Sequence, residues 1–335
     1  MKIGMRHQTT GNSKKARIFD LTLGAIFFAL CVSAYAQQAT KIRRVGYLAS
    51  AGLAPSEAFR QALRDLGYIE GKNIAFEFRA SAGKPEQSSH LAAELVRLRV
   101  DVIVAAGAGA IRAAKNATAS IPIVMSEVND PIALGFIASL AHPGGNITGI
   151  SNLSPELSGK RLELVTEIIP KTSRVALLAY RGVAMRTSIE ETQLAAQSMQ
   201  LQLQLLEVNG PAEFESVFEA AKKQRADALI QIEAAVLSPH QQRIIELAEK
   251  HRLPVVYNHR EHVQAGGLMS YGLDAVERQQ RVAALVDKIL KGRKPADLPV
   301  EQPTKFEFVI NLKTAKQIGI TIPPNVLARA DRVIK

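Results

Sequence analysis

The stretch RRVGYLASAGLAPSEAFRQALRDLGYIEGKNIAFEFRA, residues 43–80, reads as a strand, a helix and a second strand. RRVGYLAS and NIAFEFRA are short apolar runs of the kind that form buried strands. Between them, residues 56–66 place apolar side chains on one helical face, and Gly67 follows as a C-terminal cap. Strand–helix–strand units build parallel sheets, so this stretch predicts an α/β fold.

The same alternation continues through the rest of the chain and predicts two comparable α/β series. In the first series, strands are expected at 101–107, 121–127 and 146–151, and helices at 87–98 and 131–140. In the second, strands are expected at 173–180, 203–208, 226–233 and 253–258, and helices at 154–169, 185–199, 212–224 and 239–251. A helix at 275–290, a strand at 305–311 and a helix at 312–318 follow. These last pieces are too few for a third core and are expected to complete the first two.

The N-terminus has the pattern of a secretory signal peptide. Lys14, Lys15 and Arg17 precede an apolar run, Leu21–Ser33, and small residues lead to a cleavage site after Ala36. The run is shorter than the roughly 20 residues that a membrane-spanning helix needs. Cleavage and release into the periplasm are therefore expected, with an uncleaved anchor as the alternative.

The single cysteine, Cys31, lies within this leader. Leu30 precedes it, whereas lipoprotein processing requires a small residue, so no lipid anchor is expected. The chain from Gln37 onward has no cysteine, which excludes disulfides and a thiol nucleophile.

The charge balance does not indicate a nucleic-acid partner. The formal net charge is +11, but the first 36 residues hold five basic residues and one acidic residue, which leaves +7 for the remainder. The remaining basic residues are scattered among Asp and Glu without an aromatic-interleaved cluster. A solvated basic surface is the expected interpretation.

The sequence contains no complete motif for catalysis, metal binding or cofactor binding. In GAGAIR, Arg112 occupies the position of the third glycine of a dinucleotide fingerprint. His259 and His262 are spaced i, i+3, unlike the common metalloprotease helix, and no Gly-x-Ser-x-Gly elbow is present. We therefore expect no catalytic residue, metal site or cofactor; the Gly107 loop still offers backbone N–H groups to a small anion.

Ligands of open parallel sheets bind beyond the carboxyl ends of the strands. The candidate ligand-binding residues at or next to those ends are Ser50, Ser56, Gly107, Ala108, Asn129, Asp130, Ser151, Tyr180, Arg181, Glu233, Tyr257, Arg260 and Tyr271. The three tyrosines either stack on a ligand or close the top of a core. Asp130 is a candidate partner for a ligand ammonium, or a capping residue before Pro131.

Two arginines are candidates for holding a ligand carboxylate, Arg181 and Arg260. The alternative for Arg260 is an ion pair with Glu261 or Glu233.

Seven stretches carry a family resemblance, among them IPIVMSEVNDPIALGFIASLAHPGGNITGIS (121–151), AGGLMSYG (265–272) and ILKGRKPADLPVEQPTKFEFVINLKTAKQIGITIPPNVLARAD (289–331). With them, the chain from Gln37 onward resembles the ABC-transporter substrate-binding family related to tryptophan/tyrosine-binding lipoproteins. The last stretch is the most specific part of the match. At the third-strand loop, Ala106–Gly109 stand where that family commonly has Thr-Gly-Thr-Pro, and Tyr180 and Arg181 stand where it often has Asn-Pro.

The resemblance implies a type I periplasmic-binding-protein fold, with two Rossmann-like lobes that close on a small polar or amino-acid-like ligand. It implies an N-terminal lobe of residues 42–151 plus 272–301 and a C-terminal lobe of 152–271 plus 302–335. The hinge crossings would lie near Ser151, Tyr271 and Gln302. The implied partner is an ABC permease in the inner membrane, and the implied state is a monomer.

Two other functions remain open from the sequence. The same fold can serve as a ligand sensor that signals to a membrane receptor. An α/β enzyme would require a catalytic constellation near the cleft.

Overall fold

The computed structural model describes Met1 and residues 42–50, 55–82, 84–152, 155–182, 185–232, 234, 236–302 and 304–335. The compact body is Arg43–Lys335. Apart from Met1, the predicted signal peptide lies outside the described residues, as do Ser154, the first residue of the helix predicted at 154–169, and the candidate Glu233. No helix of the described residues combines the length and apolarity needed to cross a bilayer.

The first sheet has five parallel strands, in the order β2-β1-β3-β4-β5. They are β1 Arg43–Ala49, β2 Ile74–Ala80, β3 Val102–Ala106, β4 Ile123–Val128 and β5 Ile147–Ser151. Helices α1 Glu57–Asp65, α2 Pro85–Arg97 and α3 Ala108–Ala117 connect the first four of them. Every residue of β3 and β5 is buried, as expected for parallel strands that are covered on both faces.

The second sheet has seven strands and continues the chain after a helix, α4 Pro155–Ile168. Its first strands are β6 Arg174–Tyr180, β7 Gln202–Val208, β8 Ala228–Gln231, β9 Val255–Tyr257 and β10 Met269–Leu273. The helices between them are α5 Arg186–Ser198, α6 Phe214–Lys223, α7 Gln241–Lys250 and α8 Arg260–Gln264. Single 3-10 turns, Pro211–Glu213 and Ser238–His240, precede α6 and α7.

The C-terminal part of the chain contributes to both sheets. A long helix, α9 Ala275–Leu290, packs its apolar side against α1 and against β3, β4 and β5 of the first sheet. A 3-10 turn, Pro295–Asp297, follows, and Glu301 then pairs with Ile150 beside β5. The remaining elements are β11 Phe306–Asn311, α10 Leu312–Ile318, α11 Pro324–Leu327 and β12 Arg332–Ile334. The second sheet has the order β12-β11-β10-β9-β8-β6-β7, with only the β10–β11 pair antiparallel.

This architecture confirms the predicted α/β class. Three passages connect the two sheets: from Ser151 into α4, from Leu273 into α9, and from Glu301 to Phe306. Whether the parts that they join move as two lobes stays a prediction.

One predicted helix is wrong. Residues 131–140 form a series of turns instead of a helix. The amide of Gly135 bonds the carbonyl of Ile132, and Gly135 has a left-handed φ of +68°, which ends the helical turn after only four residues. Asp130 accepts a bond from the amide of Ala133 at 2.9 Å and thereby caps this turn.

Candidate functional site

A cleft that encloses about 610 Å³ of space, part of it open to solvent, lies where the carboxyl ends of both sheets meet. Most of its lining side chains are polar. The lining residues are Asn129, Asn152, Leu157, Ser158, Arg161, Ser188, Glu191, Thr192, Ile230, Ile232, Asn258, His259, Leu273 and Arg278. Parallel sheets place their strand ends and helix starts at the same edge, so residues far apart in sequence meet here.

Arg278 lies on the wall that belongs to the first sheet. It sits in the first turn of α9 and is only 4% exposed. Its Nη2 atom donates to Oε1 of Glu127 at 3.5 Å, whereas its Nε and Nη1 atoms have no hydrogen-bond partner among the described residues. A buried guanidinium therefore faces the cleft with most of its donors unused.

Glu127 reaches Arg278 because of an irregularity in β4. The pairing of β4 with β5 shifts register between Met125 and Val128, and Glu127 has a φ of +57°. A β-bulge of this kind re-aims a side chain at a strand end. The charges of Glu127 and Arg278 both act on buried Tyr47, where burial first and Glu127 second raise the pKa of the phenol well above its usual value.

Two asparagines lie beside Arg278 at the ends of β4 and β5. Asn152 is 7% exposed, and neither its Oδ1 nor its Nδ2 atom has a partner among the described residues. Asn129 is held by its backbone, since the hydroxyl of Ser151 donates to its carbonyl oxygen at 2.9 Å. The first wall therefore offers donors and acceptors on short side chains.

The second wall combines one cation, one carboxylate and several hydroxyl groups. Arg161 of α4 is 9% exposed and donates through Nε to the carbonyl oxygen of Tyr271 at 2.8 Å. Ser158 accepts from Thr192 at 3.3 Å, which joins α4 to α5. Glu191 of α5 has a raised pKa because burial, and next the charge of Asp130, disfavour its ionised form.

Among the described residues, two hydrogen bonds connect the walls. Asn129 donates through Nδ2 to the hydroxyl oxygen of Ser188 at 3.3 Å, and Thr187 donates to Oδ2 of Asp130 at 3.0 Å. They join the turn after β4 to the start of α5. The described conformation is therefore one in which the two walls touch.

A smaller cavity of about 240 Å³ shares Asn258 and His259 with the cleft. Its other lining residues are Gln231, Ala234, Ser238, Gln241 and His262. Gln231 and Gln241 exchange two hydrogen bonds at 2.9 and 3.2 Å and are both buried. This side of the cleft is therefore polar and rigid.

Of the candidate residues predicted from the sequence, the cleft lining contains Asn129. Ser50 accepts a hydrogen bond from the amide of Ala110 at 2.9 Å, and Ser56 caps α1 by accepting from the amide of Phe59. Gly107 caps α3, which begins at Ala108. Ser151 is fully buried below Asn129.

The predicted tyrosines occupy three different environments. Tyr257 is fully buried in the core of the second sheet. Tyr271 is half-buried, and its ring contacts those of Phe306 and Phe308. Tyr180 is half-buried against the same core at the end of β6.

The predicted charged residues lie outside the cleft lining. Arg181 pairs with Glu207 at 3.6 Å and is more than half exposed. Arg260 pairs with Glu261 at 3.3 Å, the alternative given above, and with Glu307 at 3.5 Å. Asp130 bonds Thr187 rather than lining the cleft.

The sequence predictions did not include the other lining residues. Asn258 and His259 directly follow β9, at the same strand end as the predicted Tyr257 and Arg260. Arg278 carries a different signal, a cation among the buried, mainly apolar residues of α9. The described residues contain no group of three or more His, Cys, Asp or Glu side chains arranged to hold a metal ion.

Known proteins share both the sequence pattern and the fold. Residues 50–334 match the family model of ABC transporter substrate binding proteins. The tyrosine-binding protein of Clostridioides difficile (strain R20291) is 27% identical over 267 residues, which are 79% of this chain and 76% of that protein.

Two solved structures superpose on most of the chain. An ABC domain from Streptococcus pneumoniae in complex with L-Trp has a TM-score of 0.82 and 25% identity, and covers 88% of this chain and 100% of its own. A conserved domain protein from Vibrio cholerae has a TM-score of 0.81 and 30% identity, with the same coverage. The fold is that of type I periplasmic binding proteins.

Members of the matched family bind small molecules outside the cytoplasm and deliver them to a permease; their role is solute binding rather than enzymatic catalysis. The family model covers residues 50–334, which is most of the chain. This chain therefore belongs to the ABC transporter substrate-binding protein family.

Proposed function

We propose that this protein is the periplasmic receptor of an ABC importer and binds a small polar or amino-acid-like solute in its cleft without changing it chemically. The observation that carries the proposal is the pairing of opposite charges in one polar cleft. Arg278 lies on one wall and Glu191 on the other. An amino acid presents a carboxylate and an ammonium group, which complement such a pair. The relatives named for tyrosine and crystallised with L-Trp support the same ligand class.

The proposal includes the remaining features of such a receptor. A signal peptide is removed after Ala36, the mature chain carries no lipid anchor, and it acts as a monomer that docks on a permease in the inner membrane. Residues 42–151 plus 272–301 form one lobe and 152–271 plus 302–335 the other. Ligand binding closes the lobes about crossings near Ser151, Tyr271 and Gln302, which presents one closed surface to the permease.

A thermal-shift screen of residues 37–335 tests the proposal. The panel contains the twenty L-amino acids, small carboxylates, sugars and nucleosides. A solute at 100 times its dissociation constant adds about 2.7 kcal/mol to the free energy of unfolding, enough to raise the melting temperature by several degrees. A solute that is bound and recovered unchanged supports a receptor. A solute that is consumed would refute binding without chemistry, and silence across the panel would count against a small-solute receptor.

A further inference from the structure

We infer that Arg278 and Asn152 form a carboxylate-binding subsite, so that the solute is a carboxylate whose anionic oxygens bind on the first wall of the cleft. This inference rests on the proposed function, because it assigns a chemical class to the solute of that receptor. It concerns neither Arg181 nor Arg260, the two arginines that the sequence had suggested for this role. Both of those side chains pair with glutamates outside the cleft lining.

Most of the N–H donors of Arg278 have no hydrogen-bond partner among the described residues. A guanidinium carries five N–H groups, and three of them are on the Nε and Nη1 atoms, which have no partner among the described residues. Leaving charged donors buried and unpaired is costly, so native structures rarely retain them without a function. Arg278 is also one of the residues that line the cleft.

The ion pair with Glu127 does not satisfy this arginine. The Nη2–Oε1 distance is 3.5 Å, the long limit of a hydrogen bond, and it involves one nitrogen. Charge-assisted bonds between arginine and a carboxylate are normally about 2.7–2.9 Å and often bidentate. Glu127 therefore orients Arg278 and partly balances its charge, while the remaining donors are available to a second anion.

Asn152 supplies the second independent observation. It lines the same cleft, is more than nine-tenths buried, and has an unpartnered Nδ2 donor and an unpartnered Oδ1 acceptor among the described residues. An amide can donate to one carboxylate oxygen while a guanidinium donates to the other, and a few well-placed polar groups are enough to fix a ligand's orientation. Arg278 lies in the first turn of α9, and Asn152 directly follows β5.

The rest of the lining indicates that polar contacts decide affinity. Among the described lining residues, His259 has the only aromatic ring, and no phenylalanine, tyrosine or tryptophan is present. The charged lining residues are Arg161, Arg278 and Glu191, and Arg278 also contacts Glu127, which is not a lining residue.

The test is titration calorimetry of the mature protein with matched acids and amides. The probes are the twenty L-amino acids, acetate and succinate; the primary amide of each acid that binds; and glucose and adenosine as neutral solutes. We expect an acid to bind and its amide to bind at least about 100-fold more weakly, because the amide offers no charge to Arg278. Arg278→Gln should weaken binding of the acid by about 30-fold or more and leave the amide nearly unaffected, which removes the discrimination.

Two further variants complete the test. Arg278→Lys keeps the charge but loses the planar fork, and should give an intermediate loss. Arg181→Gln removes an arginine that pairs with Glu207 outside the cleft lining and should leave both affinities unchanged. Circular dichroism and melting temperature establish that each variant is folded, and the acid–amide comparison on the unmodified protein holds even if Arg278→Gln does not fold.

Several outcomes would overturn the subsite. Equal affinities for an acid and its amide, or an unchanged affinity for the acid in Arg278→Gln, would refute the inference directly. Binding of glucose or adenosine with no binding of any acid would refute it while the receptor function stands. If none of the probes bound, both the subsite and the proposed function would be contradicted.

Discussion

Tyr257 lies at the end of strand β9 but does not line the cleft. Its side chain is fully buried, its ring contacts that of His262 with centroids 5.6 Å apart, and its hydroxyl has no hydrogen-bond partner among the described residues. Burial raises the pKa of this phenol far above its usual value and favours its neutral form. The sequence left two roles open for this tyrosine, stacking on a ligand or closing the top of a core.

Tyr257→Phe separates the two roles. Because the substitution removes an unsatisfied buried hydroxyl and keeps the ring, we expect the free energy of unfolding to stay equal or to rise by about 1 kcal/mol. Ligand affinity should stay within about twofold of the parent, since Tyr257 does not line the cleft. Urea denaturation and calorimetry measure both quantities. A large loss of affinity without loss of stability would restore the ligand-contacting role.

In the conformation in which the two walls touch, Glu191 makes folded stability depend on pH. Its pKa is raised from the ordinary 4.5 by burial first and by the charge of Asp130 second. A carboxyl group with a raised pKa holds its proton more tightly in the folded state, so folded stability falls as pH rises from about 4.5 through the raised value. Above that interval, the full penalty for ionising Glu191 remains.

Glu191→Gln should remove this dependence. If the unliganded protein keeps the two walls in contact, we expect the variant to melt at a higher temperature than the parent at pH 7–8, and at the same temperature near pH 4, where Glu191 is mostly protonated in both states. In an open unliganded protein this difference should be small. Melting temperatures recorded across this range test the prediction. If the ligand carries an ammonium group, the same variant should bind it more weakly at pH 7. A difference between the two proteins that does not vary with pH would show that Glu191 is not the titrating group.

Regular elements were predictable from the sequence where their periodicity was long and clear. The predicted helices 275–290 and 312–318 have the bounds that the structure gives to α9 and α10. The five-residue helix α8 and the terminal α11 and β12 are too short to show a period and were not predicted. The wrongly predicted helix at 131–140 is interrupted by a glycine whose left-handed conformation the apolar pattern does not reveal.

The site was harder to predict, because it depends on which sheet each element joins. Helix α9 follows β10, a strand of the second sheet, yet it packs against the first. Arg278 faces the cleft only because of that crossing. Asn129 was identified because a residue at a strand end needs no such long-range information.

Gly272 shows how one element positions another. In β10, a Cβ atom at this position would lie 1.8 Å from the backbone oxygen of Asn258, a residue of the cleft lining. The strand therefore lies so close to the segment after β9 that no side chain larger than the hydrogen of glycine fits at position 272. Gly272→Ala must push Asn258 away, and we expect it to lower the free energy of unfolding by about 1–3 kcal/mol and to weaken ligand binding.

Gly210→Ala is the matched control. A Cβ atom there would meet nothing within 4 Å, and the φ of 176° is extended backbone that alanine adopts readily. Its stability should be equal to or slightly above that of the parent. Chemical denaturation compares the two variants, and equal stabilities would mean that β10 shifts at no cost.

The two hydrogen bonds described above that cross the cleft bear on how ligand binding and lobe closure are coupled in the proposed receptor. If ligand binding closes two lobes, the bonds from Asn129 to Ser188 and from Thr187 to Asp130 form in the closed state and stabilise it. Asp130 keeps its second bond, from the amide of Ala133, in either state. Removing the Thr187 hydroxyl therefore acts on closure while leaving the turn intact.

Thr187→Val should reduce ligand affinity about five- to tenfold, which corresponds to about 1–1.4 kcal/mol and lies within the usual net contribution of an intramolecular hydrogen bond. The melting temperature of the unliganded protein should change by less than about 1 °C, because an open unliganded state has no bond to lose. Thr166→Val is the control, since the Thr166 hydroxyl bonds only the carbonyl oxygen of Glu163 within α4. Calorimetry gives the affinities, and small-angle scattering at saturating ligand reports compaction. If Thr187→Val instead lowers unliganded stability and leaves affinity unchanged, the bond exists without ligand, and the protein is closed before its solute arrives.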